Sequence, residues 1–263
     1  MVKNLLTGRL IRFCMNLLKN ILGRIYFIYG MLLFVATMLI VFIPIWLISL
    51  LPEPIRAKTL HPIFKGWMSF FMPLVFCPVI RRGKEHFRKG ENYVVIVNHN
   101  SLVDIPVSSP WIPGPNKTLA KIEMARIPIF GVIYKAGSVL VDRKKENSRR
   151  ESFSRMHETL MNGIHLCLYP EGTRNKTSDP IQRFYDGAFI TAIKAQKPIM
   201  PGVIFNTGKI LPHNKIAWAR PLPIHFHFLP PVPTEGLTLD DLPSLKEKLH
   251  HIMTAYYTAH NKP

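Results

Sequence analysis

The chain has 263 residues, 34 of them Lys or Arg and 16 Asp or Glu, which gives a formal net charge of +18. With 48% hydrophobic and 19% charged residues, it carries enough apolar surface to bury a core, which excludes intrinsic disorder. Cys14, Cys77 and Cys167 are scattered and form no CxxC pair, so a disulfide-stapled scaffold is excluded, a zinc–cysteine site has no support, and a reducing compartment is the natural home.

The charge is unevenly placed. Residues 1–90 carry 13 basic and 2 acidic side chains, whereas residues 91–263 carry 21 and 14. The basic excess therefore sits in the most apolar third of the chain. Basic residues beside long apolar runs suit anionic lipid head groups, and they argue against nucleic acid, which calls for a basic soluble face.

From Ile25 to Leu51, 27 consecutive residues pass without a charge. As a helix the run would reach about 40 Å, more than a hydrocarbon core of about 30 Å. Pro44 predicts a kink or break near its end. A second uncharged run, Gly66 to Ile80, has 15 residues with Pro73 and Pro78, and suits a re-entrant or interfacial segment or the return limb of a hairpin. Basic residues flank the pair on both outer sides: Lys3, Arg9, Arg12, Lys19 and Arg24 before it, and Arg81, Arg82, Lys84, Arg88 and Lys89 after it. The positive-inside tendency puts both flanks on the cytoplasmic side, which favours a hairpin over one span. Residues 1–88 thus read as a membrane-anchoring helical segment and residues 89–263 as a separate domain.

After Gly90 the texture becomes α/β. Strands are predicted at Tyr93–Val97, Val139–Val141, His165–Tyr169, Ile199–Phe205 and Ile224–Leu229, and helices around Ser148–Asn162, Gly187–Ala195 and Leu242–His260. The Pro-rich piece Pro221–Pro233 reads as loops bounding one edge strand. This alternation implies a mostly parallel sheet flanked by helices, with ligand sites at the carboxyl ends of its strands.

Two motifs fall at such ends. In Asn98-His99-Asn100-Ser101-Leu102-Val103-Asp104 a turn can fold the Asp104 carboxylate onto the His99 ring, fixing one ring nitrogen and freeing the other to accept a proton. The same spacing also fits a loop histidine bonded to a turn aspartate for purely structural reasons. No protein nucleophile accompanies the pair, since Ser101 suits a turn bond, so the attacking group would be a substrate hydroxyl or water. In Tyr169-Pro170-Glu171-Gly172-Thr173-Arg174, Gly172 permits close backbone approach, Glu171 and Thr173 can bond a polyol, and Arg174 offers a planar fork for phosphate; an ordinary turn with a solvated arginine fits too.

Taken together, NHNSLVD (98–104), GVIYKAGSVLVDR (131–143), YPEGTR (169–174) and PIMPGVIF (198–205) resemble, in order, the four blocks of the glycerophospholipid acyltransferase family, most like its 1-acyl-glycerol-3-phosphate acyltransferases. The resemblance implies an acyltransferase domain in which His99 is the general base and Asp104 orients it. Glu171, Gly172, Thr173 and Arg174 would bind the acceptor, and Arg143 and Lys121 would assist at its phosphate. It implies acyl transfer from acyl-CoA or acyl-carrier protein to the free hydroxyl of a membrane-resident lysophospholipid, with no metal and no further cofactor. The domain would lie at the cytoplasmic face, of the inner membrane in a bacterium. Two rivals remain: another lysolipid as acceptor, such as a lyso-ornithine lipid or lysophosphatidylglycerol, and a non-catalytic membrane-surface binding protein. One departure stands out. Where many members carry a lysine pair, this chain has Tyr185 and Asp186 before Gly187-Ala188. Either Asp186 caps the helix beginning at Gly187, or the acceptor head group is not a simple phosphomonoester.

Overall fold

The structure is a computed structural model that describes residues 2–142 and 144–261, with side chains from Arg12 onward; Arg143 lies outside the described residues. A seven-stranded sheet forms its centre: β1 (Val79–Arg82), β2 (Val94–Val97), β3 (Asn116–Lys121), β4 (Ser138–Val141), β5 (His165–Leu168), β6 (Ile199–Phe205) and β7 (Ile224–Phe228). Among the described residues eight α-helices accompany it: α1 (Val2–Ser49), α2 (Ile55–Leu74), α3 (Asp104–Trp111), α4 (Phe130–Ala136), α5 (Glu146–Met161), α6 (Gly187–Ala195), α7 (Thr207–Ile210) and α8 (Leu242–His260). The strand order is β1-β7-β6-β2-β5-β3-β4, and of its neighbouring pairs only β6 and β7 are antiparallel. The five strands from β6 to β4 in that order therefore end on one edge, and β1 and β7 begin there. The mostly parallel sheet flanked by helices is as the alternation predicts.

The strand residues alternate between two cores. Val95 and Val97 of β2 join α1, α2 and α3 on one face, while Val94 and Ile96 join α5, α6 and α8 on the other. Each side chain so buried is worth about 1.5–3 kcal/mol, and the period of two in β2 supplies both layers. Asn98 extends this ladder. Its Nδ2 donates to the Ile204 carbonyl at 2.9 Å and its Oδ1 accepts from the Ile204 N–H at 2.7 Å, so a buried side chain stands in for one rung between β2 and β6.

The N-terminal hairpin differs from its sequence expectation. α1 continues through Pro44 to Ser49, where Ile45 is fully buried, so the chain turns at residues 50–54 and not at the proline. The return limb is α2, which begins at Ile55 and carries Arg56, Lys58 and Lys65. It runs antiparallel to α1: the Tyr29 hydroxyl donates to the Leu74 carbonyl at 2.9 Å, Trp67 Nε1 donates to Thr37 Oγ1 at 3.0 Å, and Arg56 reaches the Ser49 carbonyl at 3.3 Å. The inner face of α2, with Leu60, Met68 and Met72, belongs to the main core. The uncharged run from Gly66 to Ile80 is divided between the end of α2, which is the return limb of the hairpin, a turn and the start of β1. Among the described residues α1 alone is long and apolar enough to cross a membrane, over Arg12–Ser49.

Two boundaries shift in consequence. The sheet begins at Val79, ahead of the division drawn at residues 88 and 89. β7 is not an edge strand, because β1 pairs along its outer side from Val79 opposite Ile224 to Arg82 opposite His227. Replacing Asn98 with Ala leaves the Ile204 N–H and carbonyl buried without partners. The expected cost is about 2–4 kcal/mol, seen as a lower denaturation midpoint, and an unchanged midpoint would remove Asn98 from the ladder.

Candidate active site

β2 delivers His99 to the shared strand edge, and the turn after it is closed by one carboxylate. Asp104, the first residue of α3, is fully buried. Its Oδ2 accepts from His99 Nδ1 at 2.8 Å and from the backbone N–H groups of Asn100 and Ser101, each at 2.7 Å. Oδ1 is buried without a partner among the described residues. A carboxylate facing Nδ1 holds the proton there and leaves Nε2 as the proton acceptor. The His99 side chain is 14% exposed, so a reacting group can reach it. Leu102, in the same turn, is 48% exposed and gives this approach an apolar rim.

The second motif braces the first. Glu171 is buried, and both its oxygens are taken by main chain: Oε1 by the His99 N–H at 2.7 Å and Oε2 by the Gln182 N–H at 3.0 Å. Asn175 N–H donates to the His99 carbonyl at 2.6 Å. Glu171, expected as a substrate ligand, thus clamps the backbone of the base. Gly172 has φ +69°, a left-handed conformation that favours glycine, in the turn between Tyr169 and Arg174. Thr173 is exposed and Arg174 partly so, and neither Arg174 nor Lys121 makes an ion pair among the described residues. Lys121 closes β3 at the same edge, opposite Val141 of β4. Arg143 is not described.

One feature was missed from sequence. The Tyr169 ring stacks on the His99 imidazole, centroids 4.2 Å apart at 24°, and its hydroxyl meets Ser108 Oγ of α3 at 2.7 Å. Burial, with Cys167 and Asp104 nearby, raises the Tyr169 pKa well above the ordinary phenol value, so the hydroxyl keeps its proton. The tyrosine was visible in the motif, but nothing local said that its ring would face a histidine 70 positions earlier. Ser101 bonds the turn as foreseen: Oγ accepts from Val103 N–H at 3.3 Å and donates to the Leu211 carbonyl at 3.1 Å, which ties the turn to the segment after β6. Asp186 precedes α6 but makes no capping bond; its Oδ1 accepts from Lys246 Nζ of α8 at 2.6 Å. Asp186 is therefore paired with α8, which corrects the capping expectation.

Burial pushes the Glu171 carboxyl up to about 7, the N–H bonds from His99 and Gln182 pull the other way, and Asp104 adds to the rise. The folded carboxyl keeps its proton to about pH 7 and an unperturbed one only to 4.5, so its contribution favours folding below that window and is lost as pH rises through it. Stability should fall between about pH 4.5 and about 7, and Glu171→Gln should flatten that slope in denaturation curves. An identical slope in the variant would place the titration elsewhere.

Comparison with known proteins agrees with the geometry. Human 1-acyl-sn-glycerol-3-phosphate acyltransferase alpha is 33% identical over 178 residues, which is 67% of this chain and 62% of that protein. The chain thus spans somewhat under two thirds of the length of that relative. The 1-acyl-sn-glycerol-3-phosphate acyltransferase of Haemophilus influenzae is 27% identical over 196 residues, 73% of this chain and 79% of that one. The crystal structure of the 1-acyl-sn-glycerophosphate acyltransferase PlsC from Thermotoga maritima shares the fold, with a TM-score of 0.72, 24% identity, and coverage of 92% of this chain and 96% of that one. Residues 78–205, which hold both motifs, match the Acyltransferase family model, and this stretch is a domain of that family.

Proposed function

We propose that the protein is a membrane-bound 1-acylglycerol-3-phosphate O-acyltransferase that makes phosphatidic acid from a thioester donor, acyl-CoA or acyl-carrier protein. The observation that carries the reading is His99 Nδ1 held at 2.8 Å by a buried Asp104, on a partly exposed imidazole just past the end of β2. Nε2 takes the proton from the free hydroxyl of the lysophospholipid. The oxygen attacks the thioester carbonyl, the C–S bond breaks, and the departing thiolate recovers the proton from the imidazolium. Asp104 stabilises the imidazolium while it exists. Arg174, with Lys121 and Arg143, binds the acceptor phosphate, and the Arg174 guanidinium, which has no ion-pair partner among the described residues, suits that task.

The apolar surface supports a substrate that stays in the bilayer. Tyr29 of α1 meets the end of α2 at the strand edge that holds His99, so the residues of α1 before it extend beyond that edge. That extension exposes Phe13, Leu18, Ile21 and Leu22, and around the same edge Leu102, Ile127 and Ile129 are exposed too. The acceptor head group then has only a short distance to rise. The basic residues in the N-terminal part of α1 support a cytoplasmic position for the domain.

The test is mass spectrometry of lipids after mixing the purified protein with acyl-CoA or acyl-carrier protein and a panel of lysolipids. Phosphatidic acid should form from 1-acyl-glycerol-3-phosphate, and His99→Ala should lower the rate on the order of 10²-fold or more. Acyl transfer to another lysolipid alone would move the assignment to that acceptor, and thioester loss without acceptor would make the protein a thioesterase. Arg174→Ala should raise KM for the phosphorylated acceptor on the order of tenfold while leaving thioester KM unchanged.

A further inference from the structure

We propose that the tip of the segment between β6 and β7, Lys215–Trp218, is a second membrane contact that seats on a bilayer surface carrying anionic phospholipid. The inference rests on the membrane-bound reading and gives the domain a contact separate from the apolar flanks of α1.

β6 ends at Phe205 on the edge that holds His99, and the chain returns to the sheet at Ile224. Between them Ile216 is 90% exposed, an isolated large apolar side chain at the tip. Beside it Lys215 Nζ lies 3.8 Å from the centroid of the Trp218 ring. An aliphatic side chain with a lysine and a tryptophan at its base is the chemistry of the lipid–water interface: the apolar group enters, the indole sits at head-group depth, and the ammonium meets phosphate. The sequence supplies the charge complement, because no Asp or Glu occurs between Asp186 and Glu235 while Lys215 and Arg220 lie within that stretch.

The tip is continuous with the anchor. Trp218 Nε1 donates to the Lys19 carbonyl of α1 at 3.2 Å, and Ala219 N–H donates to the Gly23 carbonyl at 3.0 Å. A Cβ on Gly23 would lie 1.9 Å from Trp218 Nε1, so a glycine on the anchor helix makes room for this indole. The tip therefore lies beside the part of α1 that exposes Phe13, Leu18, Ile21 and Leu22 together with Arg12, Lys19 and Arg24, the same mixture of apolar and basic groups. The other end of the segment is fixed to the catalytic turn through the bond from Ser101 Oγ to the Leu211 carbonyl. Seating the tip on the bilayer thus sets the height of the His99 turn above it.

The test uses the full chain reconstituted in vesicles of phosphatidylcholine, with and without phosphatidylglycerol. Cys77 and Cys167 are buried, so Ile216→Cys in a Cys14→Ser background carries a single environment-sensitive fluorophore; Lys89→Cys, exposed before β2 at the opposite strand edge, is the control. The label at 216 should shift to the blue and be quenched by lipids doxyl-labelled near the head group, and the label at 89 should do neither. Lys215→Glu should reduce the quenching several-fold in phosphatidylglycerol vesicles and little in phosphatidylcholine alone. A label at 216 that stays as water-exposed as the one at 89 overturns the proposal, as it would if the tip were built to dock a soluble protein, because the vesicles hold none. Equal effects of Lys215→Glu in both vesicles overturn the anionic component. Ile216→Asp should raise KM for acceptor presented in vesicles roughly tenfold with kcat retained; a fall in kcat at constant KM contradicts a seating role. The fluorescence is read without turnover, so its failure leaves the acyl-transfer assay standing, and a failed assay leaves the fluorescence interpretable.

Discussion

One carboxylate oxygen organises the site. Asp104 Oδ2 receives the His99 imidazole and two backbone N–H groups, so it both folds the turn and selects the tautomer of the base. All three donors converge on one buried oxygen, and in the proposed reaction the carboxylate is placed to steady an imidazolium on His99. The companion Oδ1 is left buried without a partner among the described residues, an arrangement that disfavours folding and is consistent with a group placed for chemistry. Glu171 holds the same turn from the other side through the His99 N–H, and Tyr169 covers one face of the ring. The imidazole is thus fixed in plane, in tautomer and in height, with only Nε2 left for a substrate.

The fold supplies the position and the hairpin supplies the surroundings. Five mutually parallel strands end at one edge, and their loops bring His99, Lys121 and the Glu171–Arg174 turn to it. α2 binds the anchor to this frame. Its outer side meets α1 and its inner side enters the main core, so the anchor is rigidly tied to the catalytic edge and is not a leash. At the far edge of the sheet, the buried Lys117 meets Glu53 of the turn between the two helices at 2.5 Å, with Arg56 on the same carboxylate at 2.7 Å. That cluster secures the end of the hairpin remote from the chemistry.

Whatever depends on neighbours in the chain was legible in the sequence. His99 and Asp104 are five residues apart, a distance one turn closes, and the β-branched runs of β2 and β6 announce strands buried on both faces. What hydropathy hid was the division of the run from Gly66 to Ile80. A helix packed on a core and a short strand are both apolar there, and periodicity over so short a run does not separate them from a membrane segment. With β1 hidden, β7 looked like an edge. The pairings that local pattern conceals span long stretches of chain: Glu171 to the His99 backbone across 72 positions, and Asp186 to Lys246 across 60. In both, residue type suggested a ligand or a cap, and the partner that decided the role came from another element.

The central claim is that His99 and Asp104 act as one unit on an acceptor hydroxyl. A double-mutant cycle on the rate of phosphatidic acid formation tests it most directly, with His99→Ala, Asp104→Asn and the two combined. If the carboxylate acts only through the imidazole, the double variant is as slow as His99→Ala alone. If the two losses multiply, or if His99→Ala keeps the rate of the unaltered protein, the pair is not the catalytic unit.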